Sequence, residues 1–334
     1  MTDMKKLLVI GKEGRLARYT ADSSLFDRYD IVYVPVGTDD GTILELHSDA
    51  NYILVDAVAD VSASLIEGMP DLKLIHSEGV GYQGVDTEKA AARGIYVCNC
   101  KGMNAAAVAE QAVLLMLGLL RDVKGGDESV RSGKQIETKE RYMLEGSLRE
   151  LGDCTVGLIG MGDIGKATAR LLAAFGADVA YFKPRRLSAG EEAEMDVRYM
   201  EREQLLASCD IVSLHLPVTE ETRYMVDDDF LRKMKDTAYL INTSRGELVD
   251  SASLVKALES GWIAGAGLDT MDGEPVQPDN TLVTAPEDAA GKLLLSCHIG
   301  GITGASFRRG YGMIWSAIEK VSRGERPDNI VNGL

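Results

Sequence analysis

The sequence predicts two α/β domains, each a parallel sheet covered by helices, and three observations carry that expectation. The chain has 334 residues and 45% hydrophobic content, enough for two cores. Short β-branched apolar runs alternate with helical patterns almost throughout, the rhythm of strands joined by crossover helices. That rhythm breaks once, at an Ala/Leu-rich segment near residue 110, and then begins again.

Taken in order, the first block of strands reads LLVIG, DIVYVPV, YILVDA, LKLIHSEGVG and GIYVCN, separated by amphipathic or turn-rich segments. From Asn104 to Val123 the sequence NAAAVAEQAVLLMLGLLRDV predicts one long helix with Asn104 as its cap, bridging into a second domain. The second block then supplies TVGLIG, ADVAYF, DIVSLHL, AYLINTS, IAGAGLD and KLLLSCH, about six strands. After His298 the residues Phe307, Tyr311, Ile314, Trp315, Ile318 and Val321 recur at helical spacing, and this helix is expected to return to the first domain. The expected division is therefore residues 1–102 with 303–334 as a substrate-binding domain, and 103–302 as the second, with the active site in a cleft between them.

Composition excludes several classes of function. Lys+Arg 36 against Asp+Glu 52 gives a net charge of −16, so the surface as a whole should repel nucleic acid and anionic membrane. An anionic substrate then needs a local patch of cations or inward-pointing N–H groups. No apolar stretch reaches the roughly 18 residues of a membrane span. The run after Lys5 and Lys6 stops at a Gly-Lys-Glu-Gly turn and reads as a first buried strand, not a cleaved leader, which points to the cytoplasm. Cys98, Cys100, Cys154, Cys209 and Cys297 form no CxxC pair and are expected as reduced thiols, and no metal site is expected.

The strongest local motif is TVGLIGMGDIGKATARLLAAFGADVAYF, in which Gly160, Gly162 and Gly165 form GxGxxG between an apolar strand and an amphipathic helix. The first glycine permits a tight turn, the second lets backbone approach a pyrophosphate, and the third lets helix and strand pack closely. With Asp163 and Ile164 between them, these residues present a helix N-terminus to negative charge. At the end of the next strand an NAD-specific site carries an acidic residue for the ribose hydroxyls, but this chain reads YFKPRR. Lys183, Arg185 and Arg186 instead place three cations where a 2′-phosphate would sit, so NADP(H) is the preferred cofactor and NAD(H) a possible one.

Three further segments each place one ionisable residue after a strand: LINTSRGELVD gives Arg245, AGLDTMDGEP gives Glu274, and LLLSCHIGG gives His298. In this order, after GxGxxG, the chain resembles the D-isomer-specific 2-hydroxyacid dehydrogenase family, including its glyoxylate and hydroxypyruvate reductases. The likeness also covers GVGYQGVDTEKAAARGIYVCN, the AAVAEQAVLLMLGLLR helix, HLPVTEETR and the final helix. It implies reduction of a small 2-oxo acid to the D-2-hydroxy acid. His298 would donate the proton as hydride arrives at carbon, and Glu274 would hold the other ring nitrogen and favour the charged imidazole. Arg245 would bind the substrate carboxylate or polarise the carbonyl through its planar fork of donors.

The same resemblance implies that the N–H groups of Val80 and Gly81 hold the substrate carboxylate, in a turn that glycine makes possible. It also places Asp269 by the nicotinamide carboxamide, Thr243 along the cofactor and Asn104 beside the bridging helix. His215 and Pro217, in SLHLP, are expected near the cofactor as packing or backbone contacts; His47 and His76 carry no expected chemistry. Cys297 stands where the family commonly has Pro, and VQPDNTLVTAPEDAAGKLLL is longer than the family's usual connection. Both domains are thus expected to be doubly wound parallel sheets of Rossmann or flavodoxin-like type, paired as a homodimer as relatives usually are. Alternatives are 3-phosphoglycerate or phosphite oxidation in the same fold, and a dinucleotide-sensing corepressor-like binding protein. Formate oxidation fits less well, because a Glu such as Glu274 stands where those members have Gln. The loops near Ala57, Tyr82 and Met103 are expected to shape the substrate pocket.

Overall fold

A computed structural model describes residues 4–334, so Met1–Asp3, at the start of the segment read as leaderless, lie outside it. The chain forms two compact units, one of residues 1–104 with 302–334 and one of residues 105–301. Among the described residues no helix is long and apolar enough to cross a membrane.

In the first unit, β1 (Lys5–Ile10), β2 (Tyr29–Val34), β3 (Tyr52–Val55), β4 (Leu74–Ser77) and β5 (Tyr96–Cys98) form an all-parallel sheet in the order β2-β1-β3-β4-β5. The runs are apolar without a polar face because a parallel sheet is covered on both sides. Leu8, Ile10, Ile53, Val55 and Ile75 enter one apolar cluster, whereas Leu7, Val9, Tyr52, Leu54 and Leu74 enter the other. The helix Gly304–Ser322 covers this second face with Tyr311, Ile314, Trp315 and Ile318, all buried. Each such side chain contributes about 1.5–3 kcal/mol by leaving water. The register pairs Ile10 with Val55 and Val55 with Ser77, so the loops after β1, β3 and β4 leave the sheet at one level.

In the second unit, β6 (Thr155–Ile159), β7 (Asp178–Phe182), β8 (Val197–Tyr199), β9 (Ile211–Leu214), β10 (Tyr239–Asn242), β11 (Gly265–Leu268) and β12 (Leu293–Leu295) lie in the order β12-β11-β10-β9-β6-β7-β8. Strand order reverses between β6 and β9, the position at which doubly wound sheets bind ligands. The sheet has seven strands where the sequence suggested about six. The additional one, β8, is three residues long and follows an acidic helix, Ala189–Met195, so neither length nor alternation announces it.

The helix expected to reach Val123 ends at Leu120. Asp122 adopts a left-handed conformation (φ 42°) and its carboxylate accepts from Gly125 N–H, which caps a new helix, Val123–Arg131. That helix and the following Gln135–Glu145 contain no buried residue. Ala105–Leu120 is itself packed in the second unit, where Gly118 lets the Leu294 side chain approach closely.

Candidate active site

The three motif glycines meet three different demands. Gly160 has φ 100°, and a Cβ there would lie 2.1 Å from the carbonyl oxygen of His215. A Cβ on Gly165 would lie 2.4 Å from the Gly160 oxygen. Gly162 differs, since a Cβ there would meet nothing within 4 Å. It is the N-cap of Asp163–Ala174 and has φ −85°, and no side chain caps that terminus. Two glycines therefore serve the chain's own packing, and the third keeps open the space before a helix N-terminus that favours anions.

Around this turn lie buried polar atoms with no hydrogen-bond partner among the described residues: His215 Nδ1, Thr243 Oγ1 and Thr270 Oγ1. They follow β9, β10 and β11, at the carboxyl ends of adjacent strands. Buried polar groups are rarely left unpaired, so these orphans at successive strand ends, the first of them on the residue packed against Gly160, fit a polar ligand held along that edge. His215 is otherwise fixed by its N–H to Ile159 O (2.7 Å) and by Ser213 Oγ at 3.0 Å from Nε2. Burial pushes its imidazole down to about 4, so it is neutral at pH 7. The Pro217 carbonyl accepts from Thr222 Oγ1 (2.8 Å).

The basic turn after β7 is not three equivalent cations. Arg186 donates through Nε and Nη2 to both oxygens of Glu192 (2.7 and 2.8 Å), and its guanidinium lies 5.2 Å from the Tyr199 ring centroid. Glu192 also accepts from Tyr181 Oη (2.6 Å). Lys183, half-buried, and Arg185, exposed, make no hydrogen bond or ion pair among the described residues.

His298 and Glu274 are brought into direct contact, with Nδ1 2.6 Å from Oε2. The other carboxylate oxygen of Glu274 accepts from Met271 N–H (2.8 Å), which fixes the carboxylate from behind. The Glu274–Pro275 peptide is cis, and His298 has φ 56°. Its ring is 46% exposed, and Nε2 makes no hydrogen bond among the described residues. Arg245 is exposed, with Nη1 donating to Ser244 O (2.7 Å). Its carbonyl accepts from Asn242 Nδ2, and a Cβ on Gly246 would lie 2.0–2.2 Å from the Met271–Asp272 peptide. The Arg-Gly turn thus packs on the backbone of the loop that carries Glu274. Asp269 is 1% exposed with both oxygens occupied by the chain's own donors.

In the first unit, the Val80 carbonyl accepts from Asn99 Nδ2 (2.7 Å) and the Gly81 carbonyl from Ser77 Oγ. The N–H groups of Val80 and Gly81 have no acceptor among the described residues, and Val80 is 39% exposed. Two side chains hold the carbonyls while the two N–H groups are left without a partner, as an anion-binding turn requires. Asn104 is half-buried and directly precedes the helix that starts at Ala105.

Sequence reasoning missed Glu78, one residue before this turn. It is buried and accepts from Tyr311 Oη and Arg15 Nη1 (2.7 Å), and Arg15 also donates to Asp56 (2.8 Å). Burial, and then the Glu78 charge, push the Tyr311 hydroxyl well above the ordinary phenol range. An acidic residue ending a buried strand was the available signal. Among the described residues no three His, Cys, Asp or Glu side chains gather as metal ligands.

Residues 113–300 match the family model for the D-isomer specific 2-hydroxyacid dehydrogenase, NAD binding domain. The chain is 37% identical over 290 residues to a glyoxylate reductase of Korarchaeum cryptofilum, covering 87% of this chain and 85% of that one. To a glyoxylate reductase of Thermofilum pendens it is 36% identical over 284 residues, covering 85% and 82%. Among solved structures, a D-isomer specific 2-hydroxyacid dehydrogenase of Lactobacillus delbrueckii ssp. bulgaricus in its NAD complexed form superposes with a TM-score of 0.79 at 26% identity, covering 98% of this chain and all of that one. The apo D-mandelate dehydrogenase of Rhodotorula graminis shares the fold, with a TM-score of 0.84 at 24% identity over 98% and 97% of the two chains. With the glycine turn, its orphaned polar atoms and the His–Glu pair in place, the chain belongs to the D-isomer specific 2-hydroxyacid dehydrogenase family, and residues 113–300 are its NAD-binding domain.

Proposed function

We propose that this chain reduces a small 2-oxo acid, glyoxylate first among those to be tried, to the D-2-hydroxy acid, with NADPH preferred over NADH. The observation that carries the reading is the 2.6 Å contact between His298 Nδ1 and Glu274, which leaves Nε2 open. When bound, the reduced dinucleotide supplies hydride to the carbonyl carbon. His298 in its charged form gives the Nε2 proton to the carbonyl oxygen, so the C=O double bond becomes a C–H bond and a hydroxyl. Glu274 holds the ring in one orientation throughout, and the Met271 N–H holds Glu274. Arg245 would offer a planar fork of donors to the substrate carboxylate, and within the first unit the N–H groups of Val80 and Gly81 are a candidate anion-binding turn.

For the dinucleotide, Gly160, Gly162, Asp163, Ile164 and Gly165 would cradle the pyrophosphate, and Thr243 and the neutral His215 would use their orphaned atoms. Lys183 and Arg185 would meet a 2′-phosphate. The relatives named glyoxylate reductase support the substrate choice. Pairing of two copies through the second unit is part of the same reading. It is supported by the exposure of Val130, Ile136, Met143 and Leu144 on the two helices that bury nothing.

The test is initial-rate oxidation of NADPH and NADH against glyoxylate, hydroxypyruvate, pyruvate and bulkier phenyl and branched 2-oxo acids. A His298→Ala control should lose about 10²–10⁴-fold in kcat. Retention of full turnover by that control would overturn the assignment of the proton donor.

A further inference from the structure

Beyond the carboxyl ends of β1, β3 and β4 the first unit holds a charge cluster that the proposed chemistry does not use. Asp56 directly follows β3, Glu78 directly follows β4, and Arg15 opens the helix Arg15–Tyr19 after β1. A single atom, Arg15 Nη1, donates to both acids, to Asp56 Oδ2 at 2.8 Å and to Glu78 Oε2 at 2.7 Å. The second Glu78 oxygen accepts from Tyr311 Oη, and Asp56 Oδ1 accepts from Val58 N–H at 3.3 Å. The Asp56 and Glu78 side chains are 15% and 8% exposed, and no other cation pairs with either among the described residues. Two carboxylates share one guanidinium, so one negative charge is left unbalanced. An ion pair that only held the fold would need a single acid. The second is largely desolvated without a cation of its own, which is unfavourable.

This charge stands beside the candidate anion-binding turn. Glu78 is two residues from Val80, so their Cα atoms are at most about 7 Å apart. A Cβ on Gly79 would lie 2.9 Å from Ala57 Cβ, so the chain after Asp56 packs directly on the chain after Glu78. The turn is also tied in place, with Gly79 O accepting from Cys100 N–H (2.8 Å), Val80 O from Asn99 Nδ2 and Gly81 O from Ser77 Oγ.

We infer that Asp56 and Glu78 are specificity determinants, admitting 2-oxo acids with an uncharged substituent and excluding those that carry a second carboxylate or a phosphate. The inference rests on the proposed reduction of a 2-oxo acid, with that acid's carboxylate at the Val80–Gly81 turn. Every such substrate meets the repulsion once, through the carboxylate they all share. A second anionic group meets it again, and that difference is the selectivity. Nε and Nη2 of Arg15 make no hydrogen bond among the described residues, yet an anion placed there would be the third on one guanidinium.

The test compares oxaloacetate with 4-methyl-2-oxopentanoate, in which an isopropyl group of nearly equal size replaces the second carboxylate. Each is assayed with NADPH as a substrate or, where turnover is slow, as a competitive inhibitor of glyoxylate reduction. The proteins are the parent, Asp56→Asn, Glu78→Gln and Asp49→Asn. The parent should favour the uncharged compound by about 10-fold or more, and Asp56→Asn, which keeps an acceptor for Arg15, should narrow that ratio about 10-fold. Glu78→Gln should do the same. Asp49→Asn removes a carboxylate beside Lys6, at the amino end of the sheet, and should leave the ratio unchanged.

A smaller folded fraction lowers activity on both compounds alike, so a parent-like ratio in Asp56→Asn and Glu78→Gln would overturn the inference. If Asp56→Asn does not fold, Glu78→Gln decides. A parent that prefers oxaloacetate would make Arg15 a receptor for the second anion, and exclusion of both compounds would make size the limit; either result overturns it. Equal narrowing by Asp49→Asn would assign the effect to the net charge of the whole chain, with the same consequence. A parent that reduces no 2-oxo acid would defeat the proposed function itself, an outcome distinct from turnover without charge selectivity.

Discussion

Substituting alanine separately for Gly160 and Gly162 should divide folding from cofactor binding within one motif. At Gly160 the added methyl would stand 2.1 Å from a backbone oxygen on a residue with φ 100°. The left-handed backbone costs roughly 1–2 kcal/mol and the overlap about 1–3 kcal/mol, so Gly160→Ala should lose about 2–5 kcal/mol of stability. At Gly162 the methyl meets nothing within 4 Å and φ is −85°. Loss of a good N-cap residue and the reduced freedom of the unfolded chain oppose each other, each by under about 1 kcal/mol. Gly162→Ala should therefore unfold at nearly the parent urea concentration. A methyl there would nevertheless keep a pyrophosphate from the helix N-terminus, forfeiting about 1.5–3 kcal/mol of charge-assisted hydrogen bonding, or about 10- to 150-fold in dinucleotide affinity. Urea denaturation followed by circular dichroism and NADPH titration by fluorescence make the comparison. Parent-like NADPH affinity in Gly162→Ala would falsify the assignment of that open space to the pyrophosphate.

Other perturbations separate the remaining roles. Lys183→Ala and Arg185→Ala should each weaken NADPH while sparing NADH, measured as the ratio of the two kcat/KM values; Arg186→Ala should act mainly on stability, since Arg186 is engaged by Glu192. Burial pushes the His76 imidazole down to about 4, only partly opposed by the Ser77 carbonyl 2.8 Å from Nδ1. A depressed folded-state value means that stability is whole above the unfolded value of about 6.5 and is lost as pH falls toward 4, by about 3 kcal/mol. His76→Asn should flatten urea-derived stability across that window relative to the parent, and two curves of equal slope would contradict it. Leu144→Glu, at a residue 90% exposed, should shift sedimentation from dimer toward monomer with the far-ultraviolet spectrum unchanged.

Much of the fold was legible because parallel strands buried on both faces are written as apolar runs, and eleven such runs coincide with β1–β7 and β9–β12, β8 excepted. The runs could not show β8, whose three residues Val197–Tyr199 carry no pattern. Nor could they show that one long helical stretch is two, since the break depends on the left-handed backbone of Asp122 and its contact with Gly125. The His298–Glu274 contact was anticipated from the order of motifs in the chain, not from their spacing. What sequence could not reveal was occupancy: Arg186 reads like Arg185 until Glu192 is seen beside it. Likewise the sequence does not show that Asp269 accepts from Ser296, Ile299 and Gly300 within the chain.

The first unit is discontinuous, and this has a consequence for how the chain is made. Residues 105–301 form an uninterrupted unit that can close as soon as its last strand leaves the ribosome. The sheet of β1–β5, although synthesised first, must wait for the helix Gly304–Ser322, because Leu7, Val9, Leu54 and Leu74 have their cover in Tyr311, Ile314, Trp315 and Ile318. At about 5–20 residues per second, roughly two hundred intervening residues keep that face uncovered for about 10–40 seconds. During synthesis the cofactor-binding unit is thus the first to mature, and the older sheet is the one in need of protection.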